Sequence, residues 1–193
     1  MRASLAVMAA ALAAGCLLPQ PAAEPRYFAP SPLATSASDP PRTSAAPELR
    51  LRRVRAAAYL RNRIVWRNGV ELGFYDLLRW TEPPARYVQT WLEEELFERR
   101  DLRRATDPNA PQLLVRLSAF DEVLAPAHEG VVTLDVTLLG PDRESLFERS
   151  FSARAPIASD DPKAVADALG VALTDATRQV ADAVVEALGT RPQ

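Results

Sequence analysis

An alternating pattern of apolar and polar residues between residues 130 and 139 is the strongest constraint on how this chain can fold. Thr133, Asp135 and Thr137 share one side of the pattern, and apolar residues share the other. Strict alternation over this length is typical of a β-strand that buries one face. The apolar residues are Val132, Leu134, Val136 and Leu138. The chain is therefore predicted to contain a sheet with one face packed against other elements.

Further strands are predicted on both sides of this segment. In residues 112–121 the inward residues are Leu113, Val115, Leu117 and Ala119, and in residues 146–155 they are Phe147 and Phe151. The other predicted strands cover residues 48–55, 63–70 and 70–75, and Tyr27 with Phe28 forms a short first strand. Asn68-Gly69 between two extended segments is typical of a β-hairpin turn.

Two amphipathic helices accompany these strands. The first is predicted to begin at Thr81 as N-cap, with Pro83 and Pro84 in its first turn, where a missing N–H costs nothing. Its apolar stripe consists of Ala85, Val88, Trp91, Leu92 and Leu96. The second is predicted to run from an Asp161 cap to Gly189. Its stripe consists of Val165, Leu169, Ala172, Leu173, Ala176, Val180, Ala183, Val184 and Leu188. Strands with two such helices predict an α/β fold.

The N-terminus has the layout of a secretory signal peptide. Arg2 precedes an apolar run that ends in small residues before Cys16, the only cysteine of the chain. The run is shorter than the roughly 20 residues that span a bilayer. The sequence around Cys16 resembles the bacterial lipoprotein signal, which implies cleavage before Cys16 and a diacylglycerol on its thiol. Leu17, in place of Asp, favours the outer membrane by the same resemblance. An ordinary secretion signal with an incidental buried thiol is the alternative.

This resemblance divides the chain into three parts. Residues 1–15 are the predicted lipoprotein signal peptide, residues 16–25 a proline-containing tether, and residues 26–193 a single domain. Residues 31–47 consist almost entirely of Ser, Ala, Thr and Pro, which offer little to bury, so they are predicted to form a flexible loop. The formal net charge of −2 over 193 residues gives no strongly basic domain, so no nucleic-acid partner is expected.

The residues that usually carry catalysis or bind metals are scarce. His128 is the only histidine and falls in a predicted turn, where a solvated side chain is expected. An acylated Cys16 leaves no thiol for a nucleophile or a zinc site. Glu93, Glu94 and Glu95 follow one another on a helix and cannot converge on one substrate. No enzyme activity, metal or cofactor is therefore expected.

Two clusters remain open to a functional interpretation. Arg50, Arg52, Arg53 and Arg55 form a dense basic strand, which would contact anionic lipid headgroups or an acidic partner, or would be an edge strand kept soluble by charge. The aromatic residues Tyr59, Trp66, Phe74, Tyr75 and Trp80 would serve as core or as a protein contact. Trp80 is predicted to pack on Ala85 as a hydrophobic staple. The predicted partner-binding residues are Tyr59, Leu60, Arg61, Arg63 and Trp66.

Two segments carry a resemblance to a family. Residues 59–68 contain Arg63-Ile64-Val65-Trp66-Arg67, and residues 79–83 read Arg79-Trp80-Thr81-Glu82-Pro83 at the start of the first long helix. They resemble the ABC-type transport auxiliary lipoproteins, a PqiC-like family of outer-membrane lipoproteins. The chain departs from the family pattern at Arg63, where proline is common, and in the extra loop after the first strand.

The resemblance implies a three-layer α/β sandwich with a mixed sheet, similar to the N-terminal domain of TolB. It also implies a lipoprotein that lies on the periplasmic face of the outer membrane and is anchored through Cys16. Formation of a homo-oligomer is compatible with the resemblance. Its partners would be an MCE-domain protein and an ABC transporter permease and ATPase that move phospholipid between membranes. The alternative function is a structural or assembly lipoprotein of the periplasm, TolB-like or a cell-wall-synthase activator, with no role in lipid transport.

Replacing the anchoring cysteine tests the lipoprotein prediction. Cys16→Ser should move the protein out of the membrane fraction and abolish labelling by an alkyne palmitate analogue, because the thiol is the acylation site. Leu17→Asp is the matched control, since it should keep the label and change only which membrane holds the protein. An unlabelled wild-type protein would rule out lipidation.

Overall fold

A computed structural model describes residues 23–31 and 46–189 of the chain. The predicted signal peptide, Cys16 and most of the predicted flexible loop lie outside these residues. The two described ends of that loop make defined contacts. Ser31 Oγ donates to Asp167 Oδ1 at 3.0 Å, and Ala46 is buried.

Nine strands and two helices make up the described fold. In chain order they are β1 (Arg26–Phe28), β2 (Glu48–Leu51), β3 (Arg55–Ala56), β4 (Arg63–Asn68), β5 (Glu71–Trp80), α1 (Pro84–Phe97), β6 (Arg103–Arg104), β7 (Gln112–Ala125), β8 (Glu129–Leu139), β9 (Ser145–Pro156) and α2 (Pro162–Gly189). The predicted α/β class, the mixed sheet and the two long helices are confirmed. The predicted strand 48–55 is divided into β2 and β3, and neither the two-residue β3 nor β6 was predicted as a separate strand.

The sheet is organised around β7. One edge of β7 pairs antiparallel with β8, which pairs antiparallel with β9. The other edge pairs in parallel with β2, β3 and β4 in succession along its length. Strand β4 then forms the predicted hairpin with β5, and the short β1 lies parallel to β5 at the far side. Gly69, in the hairpin turn, has a positive φ of 59°, which glycine adopts without a steric penalty.

Both helices cover the same face of this sheet. Trp91 of α1 donates its indole N–H to Thr174 of α2 at 3.3 Å, which joins the two helices side by side. Helix α2 lies close to β8, because a Cβ on Gly130 would come within 3.0 Å of the Leu169 backbone nitrogen. In the described residues the two helices thus form one layer against the sheet. The opposite face of the sheet is exposed at Arg116 and Ser150. The predicted likeness to the N-terminal domain of TolB stays a prediction.

One strand changes its inward face along its length. The predicted inward residues Leu113, Val115 and Leu117 are buried as expected. A register shift between Leu117 and Ala119 then inserts an extra residue into β7. Phe120, fully buried opposite Val132, therefore takes the inward position that Ala119 was predicted to hold.

The start of α1 differs from the prediction. Thr81 is not the N-cap, because the cap position is Pro83, with no side-chain cap. The Thr81 hydroxyl lies instead 2.7 Å from the Tyr87 hydroxyl, which also accepts the Glu82 backbone N–H at 3.0 Å. Trp80 contacts Tyr87 edge-on, at 6.2 Å between ring centroids, and its contact with Ala85 stays a prediction.

The start of α2 agrees with the prediction. The Asp161 carboxylate accepts the backbone N–H of Lys163 at 3.0 Å, which is the expected N-cap hydrogen bond. The predicted apolar stripe is buried from Val165 to Val184, and Leu188 at the end is half-buried. This helix therefore supplies much of the core beneath β8 and β9.

Trp80 is predicted to be essential for stability. It is 0% exposed and contacts both Tyr87 and Phe120, so Trp80→Ala should lower the free energy of unfolding by about 3–5 kcal/mol, as truncation of buried aromatics does. Urea unfolding measures the change. Trp80→Phe is the control, and it should cost less, because the indole N–H has no acceptor within the described residues. A loss below about 1 kcal/mol for Trp80→Ala would contradict this assignment.

Candidate functional site

An open groove of about 840 Å³ lies against the sheet where β2 and β3 separate. Between these strands the Arg52 backbone N–H still donates to the Leu113 carbonyl of β7 at 2.9 Å. Residues 53–54 then leave the ladder, and the Val54 backbone N–H donates to the Gln89 side chain at 2.9 Å. This detour forms one wall of the groove. The lining residues are Arg52, Arg53, Val54, Arg55, Leu114, Val115, Arg116, Asp135, Val136, Thr137, Glu148, Arg149 and Ser150. We call it the arginine groove.

Register brings distant residues together here. Arg55 pairs with Arg116 in the parallel β3–β7 ladder, so both side chains lie on the same face. Across the antiparallel β7–β8 and β8–β9 ladders, Arg116 is followed by Asp135 and Ser150. Asp135 accepts a hydrogen bond from the Ser150 hydroxyl at 3.0 Å. The result is a polar row that crosses three strands beside the basic wall.

The groove is positively charged. Arg52, Arg53, Arg55 and Arg116 have no carboxylate within 4.0 Å among the described residues, whereas Arg154, elsewhere in the sheet, lies 3.2 Å from Glu129. The carboxylates in the lining are Asp135 and Glu148. Guanidinium groups stay protonated at every physiological pH, and their planar donors match phosphate and carboxylate oxygens. The groove can therefore hold an anionic group.

Only the start of the arginine run has a pairing partner on each side, because β2 lies between β6 and β7. Strand β3, which contains Arg55, pairs with β7 alone among the described strands, as an edge strand does. Arg50 does not join the groove, because its guanidinium donates to the backbone carbonyls of Thr106 and Asp107, at 3.4 and 2.7 Å. Of the four arginines in the predicted basic strand, three line the groove, and Arg50 is hydrogen-bonded to the loop that contains Thr106 and Asp107.

A second polar cluster is buried beside β4. The Arg67 guanidinium donates to Asp121 Oδ2 from two nitrogens, at 2.9 and 2.7 Å. The Tyr59 hydroxyl donates to the Ser118 carbonyl at 2.9 Å and lies 3.3 Å from both Asp121 oxygens. Burial, followed by the Asp121 charge, raises the pKa of Tyr59 to about 12. This network joins β4, β7 and the preceding loop and is structural.

The structure separates the predicted partner-binding residues into two kinds. Leu60 is only 4% exposed and belongs to the core, and Tyr59 is held in the network above. Trp66 is half-buried and lies over Gly73, where any Cβ would meet its ring at 2.1 Å. Arg61 is exposed, and Arg63 is partly exposed, with its guanidinium over the Phe74 ring and 2.7 Å from Asp76. Only the two arginines offer charged groups to the solvent.

His128 is paired rather than simply solvated, which corrects the sequence prediction. Its Nε2 lies 2.6 Å from Oε1 of Glu122, a carboxylate buried at 3% exposure. The same Glu122 carboxylate also lies near Tyr75. Burial, and then this carboxylate, raise the pKa of the Tyr75 hydroxyl above its ordinary value. The sequence signal was weak, because Glu122 and His128 are six residues apart and meet only when β7 and β8 fold back.

Two kinds of feature are absent from the part of the chain that the structure describes. Within residues 23–31 and 46–189, no group of three His, Cys, Asp or Glu side chains could hold a metal ion. In the same part of the chain, no helix is long and apolar enough to cross a membrane.

The fold and the groove define an α/β domain with a concave, anion-attracting surface. The family of ABC-type transport auxiliary lipoprotein components matches residues 31–181, and the chain belongs to this family. The comparison with curated proteins found no match.

Three solved structures have a similar fold. Protein XCC0632 from Xanthomonas campestris has a TM-score of 0.72 at 20% identity, covering 84% of this chain and 95% of its own. An uncharacterized protein has a TM-score of 0.64 at 14% identity, covering 84% and 99%. The hypothetical protein CT253 from Chlamydia trachomatis has a TM-score of 0.50 at 9% identity, covering 75% and 99%. At these identities the likeness shows the fold alone.

The Tyr59 network predicts a specific pH dependence. Tyr59→Phe should lower the free energy of unfolding by about 1.5–3 kcal/mol at pH 8, the range for a hydrogen bond to a charged group. Since the folded pKa is about 12 and the ordinary value is 10.0, the stability linked to this proton is complete below pH 10 and is lost as pH rises towards 12. The difference between the two proteins should therefore shrink over this window in guanidinium unfolding curves. A constant difference from pH 8 to 11.5 would contradict the assignment.

Proposed function

We propose that this protein is an outer-membrane-anchored auxiliary lipoprotein of an ABC/MCE-type system that transports lipid between membranes, and that it acts by anchoring and docking rather than by catalysis. The observation that carries the proposal is the family match over residues 31–181, which makes the chain an auxiliary component of an ABC-type transport system. The lipoprotein resemblance at Cys16 adds the anchor, and Leu17 adds the outer membrane.

Anchoring follows from the chemistry of the N-terminus. A diacyl group together with an amide-linked acyl chain on Cys16 exceeds the two signals that stable membrane attachment needs. The tether, residues 16–25, would span at most roughly 35 Å when fully extended. The folded domain would thus stay close to the periplasmic face of the outer membrane while reaching towards a partner.

Docking to the MCE-domain protein is assigned to the loop that precedes β4. Leu60 in the core and the Tyr59 hydrogen bonds hold this loop in place. Arg61 and Arg63 then present their guanidinium groups to the solvent, and the half-buried Trp66 follows in β4. Arginine and tryptophan are enriched in binding hot spots, so this arrangement suits a protein contact.

A double substitution tests the docking role. Arg61→Ala/Arg63→Ala should weaken binding to the purified MCE-domain protein of the same organism at least about tenfold, because it removes both exposed charges. The melting temperature should hardly change, since exposed ion pairs contribute little to stability. Arg86→Ala/Arg178→Ala is the matched control, which removes the same charge from exposed and half-exposed positions on the two helices.

Two outcomes would count against the proposal in different ways. Equal loss of binding in both double variants would place the docking site elsewhere. A wild-type protein that does not bind the MCE-domain protein, but is captured with cell-wall or other periplasmic assembly proteins, would favour the structural or assembly function.

A further inference from the structure

We infer that the arginine groove binds the phosphate headgroup of an anionic phospholipid, so that the folded domain itself contacts lipid. This inference rests on the proposed function, because it gives the domain a role in lipid handling beyond anchoring and docking.

The charges of the groove favour an anionic ligand. Arg52, Arg53, Arg55 and Arg116 line one concave surface without a carboxylate within 4.0 Å among the described residues. Elsewhere such partners are common: Arg67 lies 2.7 Å from Asp121 and Arg100 lies close to Asp182. Like charges that face a common space repel one another unless an anion neutralises them. The groove thus concentrates unpaired positive charge in one place.

Phosphate suits these donors better than an isolated carboxylate. Arginine binds phosphate oxygens through two parallel N–H donors, and several guanidinium groups can share the oxygens of one phosphate. Thr137 in the lining adds a hydroxyl group that can donate to the remaining polar atoms of a headgroup, whereas the Ser150 hydroxyl already donates to Asp135. Asp135 and Glu148 could accept from a glycerol hydroxyl.

The size and the apolar part of the groove favour a lipid over a protein. A volume of about 840 Å³ falls within the roughly 300–1,000 Å³ of small-molecule sites. A stable protein interface instead spreads over about 800 Å² on each partner. Leu114 also lines the groove and is 40% exposed, an apolar surface against which the first carbons of an acyl chain can pack.

The test uses the purified Cys16→Ser protein, which has no acyl anchor of its own. Dihexanoyl-phosphatidylglycerol, kept below its micelle concentration, is titrated by calorimetry beside dihexanoyl-phosphatidylcholine and inorganic phosphate. The phosphatidylglycerol should bind at least about tenfold more tightly than either of the other two. Vesicles of phosphatidylglycerol and phosphatidylcholine should bind the protein, and vesicles of phosphatidylcholine alone should not.

Variants locate the binding in the groove. Arg116→Gln and Arg55→Gln should each weaken phosphatidylglycerol binding about tenfold or more. Arg154→Gln is the matched control, because it removes the same charge from another exposed position in the sheet, and it should change binding less than twofold. Since these side chains are exposed, circular dichroism and melting curves should match the parent protein, and Arg52→Gln replaces any variant that does not fold.

Several results would overturn the inference. Equal losses in Arg116→Gln and Arg154→Gln would make the binding non-specific, and equal affinity for inorganic phosphate would identify a free anion as the ligand. No phosphatidylglycerol binding, with loss of MCE-domain protein binding in Arg116→Gln, would identify an acidic protein contact. Because Cys16 labelling and MCE binding by the wild type are separate measurements, failure here leaves the anchoring and docking proposal standing.

Discussion

The pairing of β7 along both of its edges is the constraint on which the rest of the structure depends. One edge of β7 pairs with β8 along almost the entire strand, and the other edge pairs with three short strands in succession. The continuous pairing of β7 with β8, and of β8 with β9, makes the surface that helix α2 covers. The discontinuous partners leave an interruption at residues 53–54, and the arginine groove lies beside it. The edge of β7 that pairs with β8 thus supports the core, and the opposite edge of the same strand borders the arginine groove.

The parts of the fold that could be predicted from the sequence are those governed by local periodicity. Strand β8 and helix α2 have long, regular patterns, and the residues predicted to point inward are buried in β8 and, as far as Val184, in α2. The prediction missed other buried positions of α2, such as Thr174 and Thr177, because close packing also covers small residues beside the apolar stripe. The inward face of β7 was predicted only as far as Leu117, because a bulge depends on backbone register and leaves no mark in the alternation. Strands of two residues, such as β3 and β6, are too short to show a period at all.

The site was less predictable for the same physical reason. The basic run of Arg52, Arg53 and Arg55 was evident, but its concave setting depends on Arg116, some 60 residues away and brought alongside only by the β3–β7 register. The hydroxyl of Tyr87 displaced Thr81 from its expected cap role through a contact between side chains that the sequence pattern does not reveal. Family resemblance rested on the β4 and α1 segments and was confirmed, while the arginine groove was found only from the three-dimensional arrangement.

The short strand β1 is where a force on the N-terminal side of the domain would act first. It is the first strand in the described residues and is joined to β5 by only three residue pairs in parallel register. Just beyond it, the Ser31 hydroxyl donates to Asp167, and its carbonyl oxygen lies against Gly170 of α2. Under the proposed anchoring through Cys16, a pull on the chain would therefore load this small attachment before it reached β7, and the pairing that forms the core and the groove would be loaded last.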